Sequence, residues 1–169
     1  MNITKATSLD IPQLEILINS AYRGQGSKKG WTTEAHLLDG KRTNVDELQK
    51  IINQPGVSIL KYHTVENEII ACVYLKKNDY KMYLGMLTVS PEIQAQGIGK
   101  KLLFVSEEFA KQNKCGAMEI TVISVRNELI AWYERHGYVR TGKTIPYTPN
   151  PELSIPKQPL EFIVLEKSL

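Results

Sequence analysis

A glycine-bearing turn between two apolar runs is the feature that most constrains this chain. Residues 94–100, Gln-Ala-Gln-Gly-Ile-Gly-Lys, follow the strand-like run 83–89 and open a helix-like run that extends to residue 112. Glycines let backbone N–H groups come close to a ligand, and the N–H groups of a first helical turn have no partner within the helix. This order predicts an anion-binding site at a helix start, with an unliganded strand-to-helix turn as the alternative.

Two other phosphate-binding loops are excluded because residues that their chemistry needs are missing. A Walker A loop matches at Gly99-Lys100, but Gln94 stands where its first Gly belongs, and Lys101 replaces the hydroxyl residue that holds magnesium. A dinucleotide fingerprint needs a third Gly where this chain has Leu102. Neither loop is therefore expected here.

The composition bounds the class of protein. A chain of 169 residues with 42% apolar and 23% charged residues is typical of a globular protein, and we expect one domain spanning 1–169. The net charge is only +3, and no run of five or more basic residues occurs, which argues against nucleic acid as a partner. The sequence has neither an apolar run of membrane-spanning length nor the apolar segment of a signal peptide, so we expect a cytoplasmic protein with no membrane partner.

The cysteines and histidines give no sign of a metal site. Cys72 and Cys115 form no ligand motif and lie in apolar surroundings, so we expect reduced, buried thiols. His36, His63 and His136 are too scattered to form a ligand set. The sequence therefore predicts no bound metal.

Apolar periodicity and turn residues predict seven strands and four helices in the order β-α-α-β-β-β-α-β-α-β-β. Helices wedged between strands indicate an α/β layered fold around a mixed sheet. Residues 24–40 are expected to be irregular, and residues 143–159, with five of the eight prolines, to form a long loop. The strands are predicted at 2–7, 57–63, 69–76, 82–89, 118–123, 138–142 and 162–166, and the helices at 8–22 (capped by Ser8), 45–52 (capped by Asn44), 98–112 and 127–136.

Two motifs and this order of elements resemble the GNAT superfamily of acetyl-CoA-dependent N-acetyltransferases. Gln-x-x-Gly-x-Gly, beginning at Gln94, resembles that family's pyrophosphate loop. The segment Asn-Glu-Leu-Ile-Ala-Trp-Tyr-Glu-Arg-His-Gly-Tyr at 127–138 resembles its second signature. The likeness covers nearly the whole chain. It implies a GNAT-like acyl-CoA N-acyltransferase fold: a mixed, mostly antiparallel sheet of about seven strands, flanked by about four helices and splayed between the fourth and fifth strands.

The resemblance implies acetyl-CoA as the cofactor and assigns residues to it. The pyrophosphate would meet the backbone N–H groups of the loop, with further donation from the Gln94 amide and the Lys100 ammonium. The pantetheine arm would add like an extra strand at unpaired backbone groups of Leu87 and Val89, whose side chains have core packing as their alternative role. The expected cofactor residues are Leu87, Thr88, Val89, Gln94, Ala95, Gln96, Gly97, Ile98, Gly99, Lys100, Asn127 and Tyr133.

The second signature implies a catalytic acid. In the family an Asn near the helix start bonds the pantetheine, and a later Tyr lies near the thioester sulfur as general acid. Asn127 and Tyr133 match, but they are six positions apart instead of the commoner seven. Because one residue turns a helix by about 100°, both face the cofactor only if the helix start is adjusted. Tyr133 is therefore predicted as the acid, with a half-buried helix aromatic as its alternative, and Asn127 as either a pantetheine contact or an N-cap.

The acceptor side is less constrained. The resemblance places it beside the first helices, where arginines would suit a carboxylate-bearing acceptor, with solvated side chains as the alternative. Glu34, Asp39 and Tyr83 are candidate general bases. The proline-rich segment 145–159 either forms a wall over the acceptor or links two strands. The expected acceptor residues are Tyr22, Arg23, Trp31, Glu34, Arg42 and Tyr83.

These residues together predict an N-acetyltransferase that passes the acetyl group of acetyl-CoA directly to a primary amine of a small molecule or a protein. Direct transfer is preferred because no Ser or Cys stands in a nucleophile motif. The alternatives are a non-catalytic acyl-CoA-binding or sensing module of the same fold, and an interaction module with an emptied pocket. Homodimers are frequent among the proteins that the chain resembles, so a homodimer is left open.

Overall fold

Nine strands and five helices make up the chain in the computed structural model, which describes residues 2–169. Short 3-10 turns precede the first and fourth helices. The strands are β1 (Asn2–Lys5), β2 (Leu38–Gly40), β3 (Val57–His63), β4 (Ile69–Asn78), β5 (Lys81–Val89), β6 (Ala117–Ile123), β7 (Val139–Pro146), β8 (Ser154–Pro156) and β9 (Glu161–Ser168). The helices are α1 (Ile11–Tyr22), α2 (Gly24–Ser27), α3 (Val45–Ile52), α4 (Ile98–Gln112) and α5 (Asn127–Arg135).

Seven of the strands form one mixed sheet in the order β1-β3-β4-β5-β6-β9-β7. Only β5 and β6 run parallel, and α4 forms the crossover between them. Helices α4 and α5 pack on one face through residues such as Leu102 and Ile130, while α1 and α3 cover the other through Leu14 and Leu48. The predicted α/β fold with a mostly antiparallel seven-stranded sheet is confirmed. No helix within residues 2–169 is long and apolar enough to cross a membrane.

The sheet splits between its fourth and fifth strands in chain order, as predicted. Pairing of β5 with β6 stops at Leu84, opposite Ile120. Beyond that point β5 continues beside β4 to Val89, and β6 continues beside β9 to Ile123. The two strands therefore diverge and leave a gap at their carboxyl ends.

A β-bulge in β5 sets which side chains face each side of this gap. Met86 has a φ of 47°, and the β4–β5 register shifts between Cys72 and Tyr74. Before the bulge Leu84 packs with the α4 side, whereas Met86 packs with the α1 side. One extra residue reverses the alternation, so the side chains of Leu87 and Val89 point toward α4.

Two segments predicted to be irregular contain regular structure. Residues 24–40 include α2 and β2, and the predicted long loop at 143–159 includes the end of β7 and all of β8. Strands β2 and β8 form a separate antiparallel ribbon in which Gly40 lies opposite Ser154. Strands β2 and β8 have only three residues each, too few to show an alternation of apolar and polar residues in the sequence. Strand β7 lacks this signal because all its residues are exposed. The prediction of a single long loop was therefore wrong.

The caps of the first helices agree only in part with the sequence. Asn44 caps α3, accepting a hydrogen bond from the Glu47 N–H at 2.8 Å, as predicted. Ser8 does not cap the first helix. Asp10 holds the N-cap position of α1 without a side-chain capping bond, and its carboxylate instead accepts the Thr7 N–H at 2.8 Å across the 3-10 turn that precedes the helix.

Candidate active site

A cleft opens where β5 and β6 diverge. Its walls come from the end of β5, the loop before α4, helix α5 and the segment that follows α1. It brings together most of the predicted cofactor residues and two of the predicted acceptor residues. The predicted residues that line it are Tyr22, Trp31, Leu87, Thr88, Val89, Gln94, Ala95, Gly97, Ile98, Gly99, Lys100 and Tyr133.

The start of α4 has the donor arrangement that an anion needs. Gly97 precedes the helix with a φ of 78°. The carbonyl of Gly97 accepts the first backbone hydrogen bond of the helix, from the Lys101 N–H at 3.0 Å. The N–H groups of Ile98, Gly99 and Lys100 find no acceptor anywhere in residues 2–169. Three unpaired donors at the start of a long helix fit the pyrophosphate of acetyl-CoA.

The Gln94 side chain connects this loop to β5 and to the segment after α2 by hydrogen bonds. Its Nε2 donates to the Val89 carbonyl at 3.0 Å, and its Oε1 accepts the Trp31 N–H at 2.9 Å. Only the second hydrogen on Nε2 is left for the predicted phosphate contact. The neighbouring Gln96 is exposed and does not line the cleft.

The edge of β5 that faces the gap is partly occupied by side chains. The Ser90 N–H donates to β4, so by alternation the backbone groups of Val89 face away from β4. The carbonyl of Val89 is bonded to Gln94, and that of Leu87 accepts the Tyr22 hydroxyl at 3.2 Å. The expectation of unpaired backbone groups at these two positions was therefore wrong for both carbonyls, because side chains of neighbouring segments bond them.

Tyr133 presents a free hydroxyl to the cleft. The residue is 5% exposed, and its ring makes edge contacts with Trp132 and Tyr138 at centroid distances of 5.0 and 5.5 Å. Within residues 2–169, no side chain or backbone group forms a hydrogen bond with the Tyr133 Oη, and this atom is accessible to solvent. Burial raises the pKa of Tyr133 well above its usual range. The hydroxyl is therefore protonated near neutral pH and available as a donor.

Arg126 is a cleft residue that the sequence analysis missed. It stands seven positions before Tyr133 and lines the cleft, whereas Asn127 is exposed, lies outside the cleft and makes no capping bond. Seven residues correspond to about two helical turns, so residues seven apart share a face and residues six apart do not. The family's seven-residue spacing was the signal that pointed to Arg126.

Arg126 belongs to a buried ionic network centred on Glu34. The Arg126 Nη1 and the Arg23 Nε donate to the two Glu34 oxygens at 3.1 and 3.0 Å. Arg126 also donates to the Thr32 hydroxyl at 2.6 Å, and Arg23 to Ser154 at 3.0 Å. All three charged residues are at most 6% exposed. Of the buried side-chain polar atoms in residues 2–169, the Arg126 Nε alone has no hydrogen-bond partner.

The remaining predicted acceptor residues lie elsewhere. Arg23, Glu34 and Arg42 line a second cavity, so two members of the ionic network form part of its wall. Tyr83 lines neither space; its side chain precedes the bulge, and its hydroxyl lies 2.8 Å from the Thr121 hydroxyl. The candidate base Asp39 is exposed and pairs with Lys157. No cluster of His, Cys, Asp and Glu suited to a metal ion occurs in residues 2–169.

Comparisons with known proteins show the family and the shared fold. Residues 28–138 match the model of the Acetyltransferase (GNAT) family. A search of curated proteins found no match. The fold is shared with the ribosomal-protein-alanine N-acetyltransferase of Brucella melitensis, at 17% identity and a TM-score of 0.71 over 100% of both chains. It is also shared with the ribosomal-protein-S18-alanine N-acetyltransferase of Escherichia coli, at 14% identity and a TM-score of 0.72 over 99% of this chain and 92% of that one.

A third solved structure contains the cofactor. It is a putative streptothricin acetyltransferase from Bacillus anthracis in complex with acetyl coenzyme A, at 21% identity and a TM-score of 0.58 over 72% of this chain and 67% of that one. At these identities the structures show the shared fold, while the family model covers well over half of the chain. The chain therefore belongs to the acetyltransferase (GNAT) family and is an acyltransferase that uses acetyl-CoA.

Proposed function

We propose that this protein transfers the acetyl group of acetyl-CoA directly to a primary amine of a small molecule or a protein. One observation carries the proposal: a single cleft has unpaired helix N–H groups in one wall and a free, protonated tyrosine hydroxyl in another. The first suits the doubly phosphorylated end of the cofactor, and the second suits its leaving sulfur. The strand edge after Leu84 lies in the same cleft.

Each part of the cleft has a separate task. Bound acetyl-CoA supplies the acetyl thioester and a thiolate leaving group. The N–H groups of Ile98, Gly99 and Lys100 bind the pyrophosphate, and the gap-facing edge of β5 orients the pantetheine arm. The Tyr133 Oη holds the proton that the departing sulfur needs when the amine nitrogen replaces it on the carbonyl carbon. A strand N–H group near Leu87 would polarise the thioester carbonyl and stabilise the charge that develops on its oxygen.

Direct transfer is favoured over an acyl-enzyme because neither cysteine can serve as a nucleophile. Cys72 and Cys115 are buried and line neither cavity. Burial raises the pKa of Cys72 to about 12, so its reactive thiolate form is absent near neutral pH. The amine must therefore attack the thioester itself.

The three candidate bases are all engaged with other groups. Both oxygens of Glu34 accept from guanidinium groups, Asp39 pairs with Lys157, and the Tyr83 hydroxyl is bonded to Thr121. We therefore propose that the acceptor enters as the free amine and releases its proton to water after attack. Turnover should then rise with pH toward the pKa of the amine that is used.

The test is the release of free CoA from acetyl-CoA in the presence of a panel of primary amines. We expect turnover with at least one class of amine and its loss in Tyr133→Phe. A non-catalytic binding module would instead bind acetyl-CoA with no turnover on any amine. An emptied pocket would show no thermal stabilisation by acetyl-CoA, whereas a ligand at ~100 times its dissociation constant stabilises a protein by roughly 2.7 kcal/mol.

A further inference from the structure

The cleft passes through the sheet at the split between β5 and β6. On one side of the sheet its lining belongs to the apolar cluster around α4 and α5, through residues such as Ile98, Trp132 and Tyr133. On the other side its lining includes Ala21 and Tyr22 at the end of α1, and Tyr22 packs with the cluster around α1 and α3. A molecule that enters from the α4 side and reaches through the gap therefore meets the end of α1.

The proposed function puts both ends of the cofactor arm on the α4 side of the sheet. The pyrophosphate lies at the unpaired N–H groups that begin α4, and the sulfur lies at the Tyr133 hydroxyl. The arm then occupies the α4 side of the cleft. The acyl group, which is attached beyond the sulfur, continues into the gap toward α1.

Tyr22 stands across the gap from Tyr133. Its hydroxyl donates to the Leu87 carbonyl at 3.2 Å, and Leu87 belongs to the part of β5 that no longer pairs with β6. The two tyrosine hydroxyls lie close enough to interact, since burial raises the pKa of Tyr133 and Tyr22 raises it further. The Tyr22 ring is therefore the large side chain of α1 that lies nearest to the place of the thioester.

Contacts at both ends hold Tyr22 in this position. Its backbone carbonyl accepts the Glu34 N–H at 3.1 Å, and the Glu34 side chain is itself fixed in the ionic network. At the other end the hydroxyl is bonded to Leu87, and the Arg42 guanidinium lies 5.5 Å from the ring centroid. Moving the ring out of the gap would break the bond to Leu87. The ring is thus a fixed end wall of the cleft.

We propose that Tyr22 is the residue that limits the acyl group of the cofactor to acetyl. An acetyl group fits between the sulfur beside Tyr133 and the Tyr22 ring, whereas each further methylene runs into the ring. This inference rests on the proposed use of the cleft for acetyl transfer. It adds the residue that selects the length of the acyl group.

The first measurement is the affinity for acetyl-CoA, propionyl-CoA and butyryl-CoA by isothermal titration, with no amine present. We expect the wild type to bind butyryl-CoA at least about tenfold more weakly than acetyl-CoA, the usual effect of a methylene or more that a pocket does not accommodate. Tyr22→Ala should bind butyryl-CoA more tightly than acetyl-CoA, because the longer chain fills the space that the ring leaves. Tyr22→Phe keeps the ring and should keep the preference for acetyl-CoA.

Tyr74→Ala is the matched control for the loss of an aromatic ring. Tyr74 is half-buried and packs against the same cluster as Tyr22, but it lies outside the cleft. This variant should keep the wild-type order of affinities. If Tyr22→Ala does not fold, Tyr22→Leu keeps an apolar side chain at the end of α1 and should shrink the preference for acetyl-CoA without reversing it.

Trp31→Ala tests the other aromatic residue that could limit the acyl group from outside the α4 side. Trp31 lines the cleft but is 46% exposed, so its ring is not expected to close the gap. A reversal of the order of affinities in Trp31→Ala, or its absence in Tyr22→Ala, would overturn the assignment to Tyr22.

A second measurement separates failure of this assignment from failure of the proposed function. Free CoA release is recorded with acetyl-CoA and with butyryl-CoA for the panel of primary amines. Equal kcat/KM values for the two cofactors in the wild type would overturn the role of Tyr22 while leaving acetyl transfer intact. If no amine is turned over but the order of affinities reverses in Tyr22→Ala, the role of Tyr22 stands and the transfer reaction falls. Equal affinities with no turnover reject both.

Discussion

Gly97 is needed for its conformation rather than for its size. A Cβ built on Gly97 would meet no other atom within 4 Å, but the residue has a φ of 78° at the start of α4. A side chain in this region costs about 1–2 kcal/mol, and a β-branched one is especially unfavourable. Relaxing that strain would rotate the following peptide and turn its N–H away from the cleft.

We therefore predict that Gly97→Val raises the dissociation constant for acetyl-CoA at least tenfold. Gly142→Val is a matched control, because Gly142 in β7 has a φ of 81° and equally open surroundings but lies outside the cleft. Both variants should lose similar stability in thermal unfolding, and isothermal titration should show weaker cofactor binding only for Gly97→Val. Equal affinities in the two variants would reject the loop as the pyrophosphate site.

Tyr133→Phe should lower kcat by roughly 10²–10⁴-fold, the usual contribution of a general acid, with the affinity for acetyl-CoA unchanged. Because burial raises the pKa of Tyr133, the wild-type hydroxyl keeps its proton throughout the usual assay range, and kcat should show no alkaline fall from this group below about pH 10. Tyr83→Phe is the control, since Tyr83 lies on β5 but outside the cleft. A kcat that is unchanged in Tyr133→Phe would remove the assigned acid.

At the level of single residues, the sequence predicted several side chains that the structure places in the cleft, among them the loop glycines and Tyr133. The glycines of the loop and the tyrosine of α5 could be predicted because few other residues serve those roles. Arg126 could not, because whether residue 126 or 127 faces the cleft depends on where α5 begins. The Arg126 side chain, held by Glu34 and Thr32, faces inward just before that start.

At the level of elements, the order of the main strands could be predicted from the sequence, but the bulge in β5 could not. Glycine is the usual mark of a left-handed position, and here Met86 occupies it. Without the bulge, strand alternation would place the side chain of Tyr83 on the same side as those of Leu87 and Val89. With the bulge, Tyr83 lies outside the cleft. The β2–β8 ribbon was missed for a related reason, since its pairing depends on contacts distant in sequence.

Gly40 tests the importance of that ribbon. A Cβ on Gly40 would lie 2.1 Å from the Leu153 carbonyl oxygen, and the residue has a φ of 87°. Because the obstacle is backbone of the paired strand, Gly40→Ala should force β2 and β8 apart and open the second cavity. Gly56→Ala is the control, since its φ is 76° but its nearest contact is 3.4 Å.

We expect Gly40→Ala to lower the free energy of unfolding by about 1–3 kcal/mol more than Gly56→Ala, as measured by urea titration. Its affinity for acetyl-CoA should stay unchanged, because the ribbon lies away from the cleft. Equal losses of stability in the two variants would mean that the pairing of β2 with β8 contributes little to the stability of the fold.

At the scale of the whole molecule, the ionic network joins segments that are distant in the chain. Glu34 connects Arg23, at the end of α1, with Arg126, before α5, and Arg23 continues to Ser154 on β8. Removing one partner of a buried ion pair typically costs about 3–5 kcal/mol, because the remaining charge is left uncompensated. In this network two guanidinium groups would also be left close together.

Glu34→Gln should therefore lower the free energy of unfolding by about 3–5 kcal/mol, with little dependence on salt. Glu128→Gln is the control, because Glu128 lies 3.8 Å from the same Arg126 but at a side-chain exposure of 44%, where an ion pair contributes at most about 1 kcal/mol. Chemical unfolding at low and high ionic strength measures both. Equal and small losses in the two variants would mean that the network does not hold these segments together.

Buried tyrosines also make the stability of the whole molecule sensitive to alkaline pH. Burial raises the pKa of Tyr22 to about 12, and the Tyr22 hydroxyl donates to the Leu87 carbonyl. In the unfolded chain tyrosine titrates near ~10. This contribution to stability is thus complete below pH ~10. Between pH ~10 and 12 the unfolded state loses a proton that the folded state keeps, so the free energy of unfolding falls by up to ~1.4 kcal/mol per pH unit for each such tyrosine.

Tyr22→Phe should remove one such contribution, and its free energy of unfolding should fall less steeply from pH 10 to pH 11 than that of the wild type. At pH 8 the same variant should be less stable by about 0.5–1.5 kcal/mol, because the bond to Leu87 is lost. Tyr80→Phe is the control, since Tyr80 is 60% exposed and should leave the pH dependence unchanged. Urea unfolding at each pH measures all three proteins. An identical alkaline slope in Tyr22→Phe and the wild type would mean that the Tyr22 hydroxyl ionises as readily in the folded state as in the unfolded chain.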